Sequence, residues 1–203
     1  MSGETYTLKI TLDGIDPAIW RRFSVPADIS LDRLHDVIQI VMGWQDCHLH
    51  GFEIAGSRYT ESPESPRDGV PEEMFCLGEL MTEQGTEFTC RYDFGDGWQH
   101  QLVLERIQQS PPVMGSHEVP VACLGGEGDC PPEDVGVASG YIAFCEALSD
   151  PHHPRYFELK AWYEGFEWYD GAFDRNHLSL PTINRDLLKY LRWSRPRQTL
   201  ASG

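Results

Sequence analysis

Apolar and polar residues alternate along residues 6–12, YTLKITL, with the two-residue period of a half-buried strand. Residues 19–25, IWRRFSV, read as a second strand. Gly14-Ile15-Asp16-Pro17 between them is turn chemistry, so the pair predicts a hairpin. The period then changes. Leu31, Leu34, Val37, Ile38, Val41 and Met42 recur at helical spacing, with Ser30 as the expected N-cap and Gly43 as the stop. Residues 48–54, HLHGFEI, alternate again as a strand. Residues 57–73, with three prolines and several charges, read as an exposed loop. CLGELM, from Cys76, reads as a short helix or turn.

The clearest hairpin is predicted by EFTCRY at 87–92 and WQHQLVLERI at 98–107, joined by the turn Phe94-Gly95-Asp96-Gly97. Residues 108–136 are rich in Pro and Gly and read as an ordered loop. GYIAFCEAL at 140–148 reads as a helix. Residues 157–162 extend it or form a second one. A last helix starts at Leu180, with Thr182 or Asn184 near its cap. There is no fixed-period repeat. The order predicts an α+β fold: a β-grasp-like mixed sheet with one helix across it and an appended helical C-terminal part. One domain is expected over 6–190. It divides into a core at 6–107, the loop at 108–136 and a helical part at 137–195, followed by a tail at 196–203.

Composition narrows the function classes. The 203 residues are 40% apolar and 11% aromatic, enough for a sizeable core. The formal charge is −16. Nucleic-acid affinity comes mainly from Lys and Arg on phosphates, so duplex DNA is not an expected partner. The basic residues gather only at the C-terminus, in Lys189, Arg192, Arg195 and Arg197. These read first as a solvated helix face, and only secondarily as a nucleic-acid contact. The acidic excess favours basic protein partners. There is no 18-residue apolar stretch, and MSGETYTLKI lacks the form of a secretory signal. A soluble cytoplasmic protein is expected, with its six cysteines as thiols or metal ligands.

The chemistry concentrates between Tyr92 and Asp134, in YDFGDGWQH and ACLGGEGDCPPED. Tyr92, Asp93, Asp96, Trp98, His100, Glu133 and Asp134 form the candidate pocket. Carboxylates and an imidazole together can hold a divalent metal or perform acid/base work. The structural alternative is that the Asp residues cap the turn, Pro-Pro-Glu-Asp opens a helix, and His100 is a hydrogen-bonded strand residue. The two readings divide on whether 93–100 and 123–134 meet in space. Cys123 and Cys130 are spaced more widely than usual zinc pairs, and would need Cys47, His48 or His50 to complete a site. Cys76, Cys90 and Cys145 fit apolar patterns and read as core thiols. His152-His153 beside Pro reads as a surface turn. In Trp20-Arg21-Arg22, Arg22 shares a strand face with Trp20 and Arg21 takes the other. The Arg pair reads as stacking on Trp or as an anion clamp.

Several of these strings together resemble the plasmid pRiA4b ORF-3-like family: Ile19-Trp20-Arg21-Arg22, Trp44 with His48-Leu49 and Phe52, YDFGDGWQH, and GGEGDCPPEDVG. Gly140-Tyr141, Asp150-Pro151, Phe173-Asp174 and Ile183-Asn184 add to it. The resemblance spans about residues 6–190. The chain departs at Val135-Gly136-Val137, where the family usually continues with two glycines, and at Arg175, where it often has Pro. The family is largely uncharacterised, so the resemblance implies little chemistry. Some members carry resolvase-like labels from mobile elements. No Ser flanked by an Arg cluster and no basic helix-turn-helix is present here to match them. The expected function is a non-enzymatic interaction or accessory module with a protein partner, associated with mobile elements. The alternative is a metal-dependent or acid/base enzyme using Asp96, His100 and Asp134.

Overall fold

The computed structural model describes residues 3–65, 67–109, 121–166 and 171–193, with 190–193 by backbone alone. The expected tail at 196–203 and the side chains of Arg192, Arg195 and Arg197 lie outside the described residues. The fold is α+β. Strands β1 (Glu4–Leu12) and β2 (Trp20–Pro26) form the first hairpin, followed by helix α1 (Leu31–Met42). Strands β3 (His50–Ile54), β4 (Ser57–Thr60) and β5 (Val70–Pro71) come next, with a 3-10 turn at Glu72–Met74 and helix α2 (Leu77–Leu80). Then come β6 (Glu87–Tyr92), β7 (Trp98–Gln109), β8 (Ala122–Glu127) and helices α3 (Val137–Ser149), α4 (Tyr156–Glu164) and α5 (Leu180–Trp193).

The strands make one sheet in the order β5-β4-β3-β6-β7-β1-β2-β8. Every described neighbour is antiparallel except β4 with β5, so the sheet is mixed. Alternation sends Tyr6, Leu8, Ile10 and Leu12 of β1 into the core, where they join Leu34, Val37, Ile38 and Val41 of α1. Burying each such aliphatic chain contributes roughly 2 kcal/mol. That stripe holds α1 in place. Ser30 at its start makes no cap bond to the backbone, and its hydroxyl donates to Asp32 instead. Gly43 ends the helix as expected, at φ 106°.

Two stretches read as loop carry strands. Residues 57–73 contain β4, β5 and the 3-10 turn. Residues 108–136 contain β8, whose Gly125 and Gly126 hide any alternation. Gly126 is required there: a Cβ would lie 2.6 Å from the Trp20 carbonyl oxygen. Asn184 closes the outer edge of β8. Its Oδ1 accepts from the Cys123 N–H at 2.8 Å and its Nδ2 donates to the Cys123 carbonyl at 3.0 Å. Asn184 is therefore no cap of α5. Ser179 caps it, its Oγ accepting the Thr182 N–H at 3.4 Å.

Neither arginine of the expected anion clamp is free for a ligand. Arg21 is 2% exposed. Its Nε donates to the Val41 carbonyl at 2.8 Å, and its Nη1 donates to the Trp20 and Glu127 carbonyls, each at 2.9 Å. Arg22 forks onto Glu105 at 2.5 and 2.9 Å and lies over the Trp20 ring, the stacked alternative. Glu105 is the residue skipped in the β1–β7 register, so a bulge turns it toward Arg22.

This contrast sets the first prediction. Arg21→Met leaves buried carbonyls unpaired and lowers unfolding free energy by about 3 kcal/mol. Arg22→Met removes a part-exposed pair and costs under about 1 kcal/mol. Urea denaturation of both variants checks this; equal losses would contradict it.

Candidate functional site

The pairing of β3 with β6 sets His50 opposite Tyr92. The ladder runs one step further, with the Asp93 N–H donating to the Leu49 carbonyl at 3.0 Å. His48 and Asp93 therefore leave the sheet at the same end. Asp93 starts the turn into β7. Its Oδ1 accepts the Gly95 and Asp96 N–H groups at 2.9 and 3.3 Å, which leaves Oδ2 facing outward from the turn.

The loop after β8 crosses this end. Asp96 Oδ2 accepts the Gly136 N–H at 2.9 Å, and Tyr92 bonds to Glu133, so the hairpin mouth and the 123–134 segment meet. Glu133 is 3% exposed. Its Oε1 accepts the Gln45 N–H at 2.7 Å and the Tyr92 hydroxyl at 3.0 Å. The same hydroxyl accepts the Cys47 N–H at 2.9 Å. Burial pushes the Glu133 carboxyl above its ordinary range, against the opposing pull of those donors and His48. Burial and the Glu133 charge also raise the Tyr92 hydroxyl, so it remains a donor.

The three carboxylates converge on one imidazole. His48 Nε2 lies 3.2 Å from Asp134 Oδ1, 3.8 Å from Asp93 Oδ2 and 3.8 Å from Glu133 Oε2. That nitrogen is buried and makes no hydrogen bond. One imidazole nitrogen and three carboxylate oxygens facing one another without a hydrogen bond between them are donors arranged as in a ligand shell. One atom each from His48, Asp93 and Asp134 fits within 4.8 Å of the others. The side chain of Asp134 is 68% exposed, so the cluster opens to solvent on that side.

A second group, His35, Asp46 and His50, also falls within that span. Its geometry opposes one shared ion. The His35 and His50 rings stack with centroids 3.3 Å apart and planes 3° apart. An imidazole lone pair lies in its ring plane, and parallel planes share no point. Each Nε2 already meets a carboxylate, His35 on Asp46 at 2.9 Å and His50 on Glu72 at 2.8 Å. The His35–Asp46 pair pins the 44–48 loop to α1, and the His50–Glu72 pair ties β3 to the 3-10 turn. Gln39 adds to the first, its Oε1 accepting the Asp46 N–H at 2.9 Å.

The expected site is thus changed in membership. Asp93, Glu133 and Asp134 belong to the cluster, Tyr92 orients Glu133, and Asp96 ties the loop down. His100 is fully buried and takes no part. Its ring accepts from Trp44 Nε1 at 3.4 Å and donates to the Cys90 carbonyl at 3.2 Å, which one neutral tautomer satisfies. Trp98 is buried and packs on Trp44 with centroids 5.6 Å apart. His48 replaces His100. Its signal is the HLH string, where alternation puts it on the same face as the buried His50; the strand starts only at His50, which frees His48 to turn toward the carboxylates. Cys123 and Cys130 are buried free thiols beside Arg21, and neither joins a metal-holding group among the described residues.

Comparison with known proteins places the chain. The plasmid pRiA4b ORF-3-like family model matches residues 4–180, and the chain belongs to that family. An uncharacterised protein, y4hQ of Sinorhizobium fredii, is 40% identical over 174 residues, covering 85% of this chain and 87% of its own. A crystal structure of MM3350, a protein of unknown function from Methanosarcina mazei, matches with a TM-score of 0.75 and 31% identity. The match covers 89% of this chain and 98% of that one.

The buried histidines set a pH dependence. Burial pushes His100 down to about 4; it pushes His35 down to about 2, helped by the neighbouring His50 and His100 charges. Unfolded, both titrate near the ordinary value of about 6.5. Protonation therefore favours the unfolded chain. Stability is full above about pH 6.5 and falls as pH drops toward 4, with His100 accounting for roughly 3 kcal/mol. His100→Gln keeps an acceptor for Trp44 and flattens that fall. Urea midpoints across pH 4–7 check this; a variant with the wild-type slope would refute it.

Proposed function

We propose that this pRiA4b ORF-3-like protein binds a divalent cation through His48, Asp93, Glu133 and Asp134, and uses it for metal-assisted hydrolysis. The observation that carries the reading is the unpaired His48 Nε2 set among three carboxylate oxygens. Two of those carboxylates have their other oxygen fixed by backbone N–H groups, so the metal-facing oxygens are aimed in advance. One imidazole with carboxylates suits Mn²⁺, Fe²⁺ or Zn²⁺. Such an ion would supply Lewis acidity and an activated water. Openness at Asp134 favours an exchangeable position over a closed structural centre.

A second reading has its own support. Leu49 and Phe94 are 62% and 47% exposed, and each adjoins a cluster residue. With a charge of −16 they suit a basic protein partner, which is the interaction-module reading. A link to mobile elements rests on the family's name alone. The same acidity argues against duplex DNA, and Lys189 of the basic run pairs with Asp186 at 2.8 Å.

Titration calorimetry on untagged, chelator-treated protein tests the metal. One Mn²⁺ or Zn²⁺ per chain is expected. His48→Ala and Asp93→Asn should each weaken it at least tenfold, a loss of about 1.4 kcal/mol or more. Cys123→Ser with Cys130→Ser should leave it unchanged. No uptake, or uptake lost with the cysteines alone, would overturn the reading.

A further inference from the structure

Asp134 has a second neighbourhood. It lines a cavity of about 350 Å³ between the loop after β8 and helices α3 and α4. That volume lies at the low end of small-molecule sites, which run from about 300 to 1,000 Å³. Phe144, Leu159 and Trp162 supply the apolar wall, with the Phe144 and Trp162 rings edge to face at 5.7 Å. Arg155 and Glu158 stand at the cavity too, and neutralise one another through a fork of 2.8 and 3.3 Å. The lining thus combines an aromatic and aliphatic wall with a balanced ion pair and one unbalanced acid, Asp134, which also belongs to the cluster.

Gly140 makes the juxtaposition. A Cβ there would lie 2.3 Å from the Val135 carbonyl oxygen, so only glycine lets α3 come this close to the loop that carries Asp134.

We infer that the cavity holds the apolar, ring-bearing body of a small molecule whose oxygen donor binds the metal beside Asp134. The inference rests on the metal reading above and adds the substrate class to it. The molecule has one planar ring and a carboxylate, hydroxamate or phosphoryl head. The balanced Arg155–Glu158 pair leaves no charge for a second ionic group. An aromatic ring entering this wall gains from desolvation and ring contacts, while the head gains from the cation.

Two hydroxamates separate the contributions. Acetohydroxamate carries only the head; benzohydroxamate adds the ring. Both are titrated into Mn²⁺- or Zn²⁺-loaded protein. Benzohydroxamate should bind roughly tenfold more tightly. Ala143→Trp fills the cavity from its exposed side. It should bring that ratio to about one while leaving metal affinity unchanged. Leu159→Ser serves in its place if that variant fails to fold, and should lower the ratio at least threefold. Loaded wild-type protein that binds both hydroxamates equally overturns the inference and leaves the metal reading intact. So does a ratio unmoved by either variant. Protein that takes up no metal overturns both.

Discussion

The buried guanidinium of Arg21 holds together the parts on which the site depends. It donates to Val41 at the end of α1, to Trp20 at the start of β2 and to Glu127 at the end of β8. Val41 lies just before the 44–48 loop, and Glu127 just before the segment that carries Glu133 and Asp134. One side chain therefore fixes the points from which two of the three site-bearing segments leave the fold. Moving an arginine out of water is costly, and burial lowers its pKa from the ordinary value. The cost is offset by charge-assisted bonds to carbonyls that a sheet edge and a helix end would otherwise leave short of donors. Lysine offers a single point of donation and would not span the same three carbonyls.

The cluster itself runs against folding stability in two ways. Glu133 is buried, which penalises its charged form. Asp46, Asp93 and Asp134 have left-handed backbones, with φ of 54°, 53° and 58°. Aspartate tolerates that region better than most residues, yet glycine would adopt it at less cost. At Asp93 and Asp134 the carboxylate is kept where the backbone would prefer glycine. Strain and buried like charge in one place are what a binding site retains and a purely structural turn sheds. Asp46 differs in its role. Its carboxylate meets His35, and its N–H meets Gln39, so it serves to anchor the loop.

Much of the fold was legible because burial on one face imposes a period. β1, α1 and the β6–β7 hairpin follow the alternation or the helical spacing directly. β8 was hidden because ACLGGE has two glycines and no alternating set, and its pairing with β2 comes from backbone groups. The site was legible in part. Asp93, Glu133 and Asp134 lie in unusual strings with turn residues, where polar groups rarely serve packing. His100 was misplaced for a physical reason. Alternation put it on one face with Trp98, as found, but did not say that α1 and Trp44 cover that face. His48 reads in sequence only as an extra ligand for the cysteines, because a residue just outside a strand inherits no face from it. Its direction is set by the backbone after Asp46, which no local pattern encodes.

The position of the cluster explains why it needs the whole chain. The sheet supplies Asp93 and Tyr92, the end of α1 leads into His48, and the loop after β8 supplies Glu133 and Asp134. That loop works on both sides. Glu133 faces the sheet and bonds with Tyr92, while Gly136 is tied to the hairpin turn by Asp96. On its other side Val135 receives α3 through Gly140. The metal-facing edge and the cavity therefore meet at a single short segment. Asp134 is the residue that the cluster and the cavity share, so a molecule seated between α3 and α4 lies against a group that also faces His48.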